Sequence, residues 1–257
     1  MLEMPGFRLL LDCGLFQGRR DEAHRQNRDL GFDPKSLSAV LLSHAHVDHS
    51  GALPVLQKHG FSGKTYLTRA TADLTELMLE DSARVQVSDC GYVNKKEQRK
   101  GKACVRPLYD TDDVRKLVRR FEGTRYGDML KIAPRVTASF HDAGHILGSA
   151  AIRVKYTARG NTTTVLFSGD LGRSNMPILR DSEPPPCRAQ IVKFNGLSAH
   201  ADRHDLLAYV RAIRPGPSKI FLVHGEERQA LSLAAAIQAE QPRIEVTVPH
   251  VGSCHEV

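Results

Sequence analysis

Three imidazoles and a carboxylate fall within six residues in Ser43-His44-Ala45-His46-Val47-Asp48-His49-Ser50-Gly51. Neutral imidazole nitrogens and carboxylate oxygens are the donors that borderline-soft zinc prefers. His44 and His46, at alternate positions of an extended loop, can point into one pocket. Asp48 and His49, on the turn that follows, can face a second ion. Two such ions a few ångströms apart can clamp both the attacking and the leaving oxygen of a hydrolytic displacement. The competing reading is a solvated histidine-rich loop, and the buried strand directly before the cluster argues against it.

That strand is Ser38 to Ser43 (SAVLLS), a near-continuous apolar run of the kind buried on both faces. Phe7 to Asp12 (FRLLLD) reads as another, closed by Gly14. Further strand-like runs cover Lys64–Thr68, Val136–Phe140, Ala150–Tyr156, Thr162–Phe167, Gln190–Phe194 and Lys219–Val223. Ile244 to Val248 is expected at a sheet edge. Helices are predicted over Gly51–His59, Ala70–Val87, Thr111–Phe121 with Thr111 as N-cap, Asp202–Ile213 and Glu226–Glu240. Leu74, Leu77, Met78 and Val85 are predicted to form a core-facing stripe. Val93–Lys102 reads as a loop or a solvated helix, and Leu171–Arg188 as loop. Strands alternating with helices imply an α/β chain, in which ligand sites collect at strand ends.

The composition is that of a globular protein: 257 residues, 41% hydrophobic and 25% charged, with a formal charge of +7. The basic excess suits anionic substrates such as phosphate esters or nucleic acid. Cys13, Cys90, Cys104, Cys187 and Cys254 are odd in number and widely spaced, which argues against a disulfide framework or a thiolate zinc site. The opening residues lack a signal-peptide pattern and no apolar run approaches a membrane span, so a cytoplasmic protein without a membrane partner is expected.

HAHVDHSG resembles the H-x-H-x-D-H signature of the metallo-β-lactamase superfamily. Asp12 in LLLDCG, His145 in FHDAGHILGS and Asp170 in VLFSGDLG match its other motifs in order. GHILGS, SGDLGR, LSAHADR and FLVHGE are similar to the β-CASP branch of RNA- and DNA-processing nucleases. The resemblance implies an αβ/βα four-layer sandwich and two divalent ions, zinc or alternatively manganese. It assigns His44, His46 and His145 to one ion, and Asp48, His49 and His224 to the other. Asp170 would bridge them, and a hydroxide between the ions would be the nucleophile. Asp48, Asp170 and His200 are the implied catalytic residues. His200 would protonate the leaving group or steady developing charge. Asp12, His141 and Asp202 are expected to support the ligands from behind. His24, His59, His204, His250 and His255 are expected at the surface, and Ser43 and Ser198 as capping hydroxyls rather than nucleophiles.

The chain also departs from that branch. Only 29 residues separate Asp170 from His200, too few for the β-CASP cap domain, which would be missing between about residues 183 and 189. The acidic motif after S-G-D is absent, and so is an extra first strand; the bare edge could be covered by Ile244–Val257. A single domain over 1–257 follows. The metal centre is complete and the RNA clamp is not, so the expected function is hydrolysis of small or activated phosphodi- and phosphotriesters. The alternatives are an endoribonuclease with weakened RNA binding and a non-catalytic metal-binding scaffold. Lactone and β-lactam hydrolysis are conceivable side activities. A homodimer is expected, its partner chain completing the rim of the site.

Overall fold

The computed structural model describes residues 1–16, 25–98, 104–173, 189–193, 201–223 and 225–256, without the side chains of 96–98 and 189–193. Its contacts divide into two compact units, Met1–Gly123 and Thr124–Val257.

The first unit is built on a five-stranded sheet in the order β1-β2-β3-β4-β5. The strands are β1 (Leu2–Met4), β2 (Phe7–Leu11), β3 (Ala39–Leu41), β4 (Lys64–Thr68) and β5 (Phe121–Thr124). β1 pairs antiparallel with β2. β2, β3 and β4 run parallel, with Leu10 opposite Val40 and Leu41 opposite Tyr66. The β3 residues are buried throughout, as their apolar run predicts. The core joins Val40, Leu42, Leu53, Leu56, Leu79, Tyr109 and Leu117. It packs helices α1 (Val47–Ser50), α2 (Leu53–Lys58), α3 (Arg69–Gln98) and α4 (Thr111–Val118) around the sheet.

Several expectations are corrected here. α3 runs on to Gln98, through Gly91, beyond the predicted Val87. Its buried face is Thr71, Thr75, Leu79 and Ala83, spaced by four, whereas Leu77 and Val85 are 65% and 51% exposed. The apolar side chains alone therefore gave the wrong phase, because two buried threonines belong to the inward stripe. α4 is capped by Asp110, not Thr111: the Asp110 carboxylate accepts from the amides of Asp112 and Asp113 in a capping box. The helix ends at Val118, and the residues expected to continue it lead into β5.

The second unit holds a seven-stranded sheet in the order β12-β11-β10-β9-β8-β7-β6. β6 (Leu130–Ala133), β7 (Val136–Asp142), β8 (Ala150–Ala158) and β9 (Asn161–Phe167) form an antiparallel meander. β10 (Ala189–Lys193), β11 (Lys219–Val223) and β12 (Glu245–Thr247) continue it in parallel. Ala151, Leu166, Ile220 and Leu222 pack under α5 (Arg203–Ala212) and α6 (Glu227–Glu240). β12 closes the edge beside β11, as predicted for Ile244–Val248.

Candidate metal centre

In the first unit the histidine cluster follows β3 and is held by the segment that follows β2. The Cys13 amide donates to the His49 carbonyl (2.7 Å), the Leu15 amide to Val47 O (2.9 Å) and the Ala52 amide to Cys13 O (2.9 Å). Between them Gly14 lies so close to Asp48 that a Cβ there would sit 1.5 Å from the Asp48 carbonyl oxygen. Only glycine fits that approach.

Asp12 adopts a left-handed backbone (φ 56°) at this junction. Its buried carboxylate accepts from the Ser43 amide and the Ser43 hydroxyl, each at 2.7 Å. It also meets His49 Nδ1 at 2.6 Å. With Nδ1–H donated to Asp12, His49 presents Nε2 as its lone pair. Ser43 Oγ, having given its proton to Asp12, accepts from His44 Nδ1 at 3.0 Å. That leaves His44 Nε2 as a lone pair too. Asp12 therefore sits behind His49 and, through Ser43, behind His44. Ser43 takes part in the same network, beyond the capping role expected of it.

The donor atoms are close enough for a metal. Asp12, His44 and His49 offer ligand atoms within 4.8 Å of one another, and all three residues are buried. The His44 and His49 rings lie 3.9 Å apart. His44 Nε2 and His46 Nδ1 are 3.0 Å apart, near the roughly 3.3 Å that separates two nitrogens on a tetrahedral zinc. His46 Nδ1–H can donate to His44 Nε2 at that distance, and a metal ion can take the place of that hydrogen. Asp48 brings Oδ2 to 3.9 Å from His49 Nε2. The donor set fits zinc.

In the second unit, His145 lies on the loop after β7 and Asp170 directly after β9. Both are buried, with His145 Nε2 3.9 Å from Asp170 Oδ2. Ser149 Oγ accepts from the amides of His145 and Ile146 (3.1 and 3.2 Å), and Tyr126 donates its hydroxyl to Ser149 O (2.8 Å). Burial, then the Asp142 carboxylate, pushes the Tyr126 hydroxyl well above its ordinary pKa, so it stays a donor. The Gly172 amide donates to Ala143 O (2.9 Å). A Cβ on Gly172 would sit 1.6 Å from the Gly144 carbonyl oxygen, so the two ligand-bearing loops touch backbone to backbone. Ser149 and Tyr126 escape sequence reasoning because their contacts are tertiary; the serine ending GHILGS is the only local sign.

His141 is half-buried, with Nε2 2.9 Å from Ser139 Oγ. Burial and then Arg153 lower its pKa, which keeps it neutral. Asp202 is exposed and caps α5, accepting from the His204 and Asp205 amides. Those amides hold its carboxyl below the usual range. His59, His204, His250 and His255 are exposed, as expected. His24, Ser198, His200 and His224 lie outside the described residues. No disulfide joins the described cysteines, and burial pushes the Cys13 thiol up to about 12. No helix among the described residues is long and apolar enough to cross a membrane.

The family model of a metallo-β-lactamase superfamily domain matches residues 1–170, and that of a Zn-dependent metallo-hydrolase RNA specificity domain matches residues 184–249. The chain is 38% identical over 186 residues to Ribonuclease TTHA0252 of Thermus thermophilus, covering 72% of this chain and 37% of that one. It is 32% identical over 187 residues to Transcription termination factor FttA of Methanocaldococcus jannaschii, covering 73% and 26%. Endoribonuclease YSH1 of Candida glabrata matches at 28% over 193 residues, covering 75% and 23%. The chain thus spans little more than a third of these relatives at most. Among solved structures, the metallo-β-lactamase fold protein YhfI from Bacillus subtilis superposes with a TM-score of 0.57 at 15% identity, covering 95% of this chain and 86% of that one. That likeness shows the fold.

Proposed function

The chain belongs to the metallo-β-lactamase superfamily, and from that premise we propose that it is a metal-dependent phosphodiesterase that cleaves RNA internally. The observation that carries this reading is the buried pair His44 and His49, whose Nδ1 atoms are tied to Ser43 and Asp12 so that Nε2 is left to bind metal, in a chain whose residues 184–249 match an RNA specificity domain. The named ribonucleases among the relatives support RNA over the small phosphoester expected from the shortened Asp170–His200 stretch. Neither a small-ester substrate nor a homodimer finds support among them. An RNA substrate is consistent with a cytoplasmic location, and we keep the single-domain reading, with a cap missing between about residues 183 and 189, as part of the proposal.

By the family pattern, His44, His46 and His145 would hold one ion, Asp48, His49 and His224 the other, and Asp170 would serve both. When bound, the ions supply Lewis-acid charge that polarises the phosphate and eases ionisation of the attacking water. Asp12 and Ser43 fix the lone pairs of His49 and His44 toward the ligand position. Ser149 and Tyr126 hold the His145 loop in place. His200 would deliver a proton to the departing ribose oxygen. Asp202, expected behind the ligands, instead caps α5, and His141 holds Ser139 on β7.

The test compares kcat/KM on a structured RNA and on an aryl phosphodiester. RNA is expected to be the better substrate, with cleavage abolished by chelator and restored by zinc or manganese. Turnover of the aryl ester beside uncut RNA would return the reading to a small-ester hydrolase.

A further inference from the structure

One face of the β6–β9 meander carries no assigned role, and its chemistry is unusual. Lys131, Thr137, Lys155 and Thr164 stand side by side across the four strands. Ser139 and Arg153 form the next row along β7 and β8, and Thr157 faces Thr162. On this same face Ala151 and Leu166 are buried under α5 and α6. The face therefore changes from apolar beneath the helices to cations and hydroxyls beyond them. Arg135 and Arg159 extend the polar end through the β6–β7 and β8–β9 turns. From Leu130 to Phe167 there are five lysines and arginines against one carboxylate, Asp142, and that carboxylate accepts from the Gly144 amide.

Lys131, Arg135 and Arg159 are exposed and Lys155 is half-buried. Among the described residues no carboxylate pairs with any of these four. Elsewhere on the surface Lys64, Arg84, Arg115 and Arg211 each hold an acidic partner. Clustered cations without partners repel one another, and a polyanion relieves that repulsion while releasing its own counterions. Strands about 4.8 Å apart place Lys131 and Lys155 about 10 Å apart, within the span of a few nucleotides. The threonine hydroxyls between them can donate to phosphate oxygens.

We propose that this face is a docking surface for the phosphodiester backbone of single-stranded RNA, carried by Lys131, Arg135, Lys155 and Arg159. It rests on the RNA reading of the metal centre, and lies outside the segment matched by the RNA specificity domain. β7 leads from this basic end toward the loop bearing His145, so a strand lying along it would be guided toward that loop.

The test uses the full chain and a fluorescein-labelled single-stranded RNA of about 20 nucleotides, with chelator present during the binding measurement so that metal-dependent cleavage does not interfere. Binding is followed by anisotropy across a salt series. Replacing Lys131, Arg135, Lys155 and Arg159 together by Gln should weaken binding at least about tenfold, and should flatten the slope of log K against log salt by about 0.7 per cation removed. Replacing the acid-paired Lys64, Arg84, Arg115 and Arg211 by Gln should change binding little. Turnover of an aryl phosphodiester should be the same in all three proteins, which checks that each variant is folded. Equal RNA binding by parent and docking variant overturns the proposal; if the parent still cuts RNA, the nuclease reading stands without it. A parent that neither binds nor cuts RNA overturns both. Binding of phosphatidylserine vesicles rather than RNA, lost in the variant, overturns RNA as the occupant.

Discussion

Asp12 is the residue on which the histidine cluster of the first unit turns, because one carboxylate fixes a serine, two imidazole tautomers and the start of the histidine loop. Substitution by Asn tests that role cleanly, since Asn tolerates the left-handed backbone that Asp12 adopts. The amide can still accept from Ser43 but loses the charge that holds His49 Nδ1–H. Asp12→Asn is expected to weaken zinc binding by about 10- to 100-fold, as loss of a partner behind a metal ligand does, with an unchanged circular-dichroism spectrum. Competition against a chromogenic chelator reads the affinity; a value equal to the parent's would show that the histidines do not depend on Asp12 for their orientation. Asp12 was legible in the sequence as the end of an apolar strand. Its partner Ser43 was legible only as a hydroxyl next to the cluster.

Elements differ in how far the sequence reveals them. β3 and the His44–His49 turn were readable because an apolar run and a ligand cluster are local patterns. β5 and β6 were not, since FEGT and LKIA are short, largely half-buried or exposed, and carry no clear alternation. The α3 stripe was misphased because burial selected Thr71 and Thr75 over Leu77. The backbone contact between the Asp170 and His145 loops was also hidden, because it depends on Gly172 meeting a residue far away in sequence. Gly172→Ala is predicted to force those loops apart, displace Asp170 and cost at least about 1–3 kcal/mol, the range for forced overpacking. A urea titration reads the stability. A variant as stable as the parent would mean that the loops can separate freely.

At the scale of the molecule, each unit carries its own candidate metal ligands on loops at sheet ends: His44, His46, Asp48 and His49 in the first, His145 and Asp170 in the second. The +7 charge, with Lys131, Arg135, Lys155 and Arg159 on the β6–β9 face, suits the polyanionic substrate proposed above. These residues are proposed to bind metal, and the metal to serve RNA cleavage. Elemental analysis of protein purified without chelator, run beside an RNA cleavage assay on the same sample, tests this proposal most directly. About two zinc or manganese ions per chain are expected, as a paired-ion hydrolytic site requires. Asp170→Ala is expected to lose metal and cleavage together. Protein that holds no metal, or that cuts RNA equally well after the metal has been stripped, would contradict the proposal.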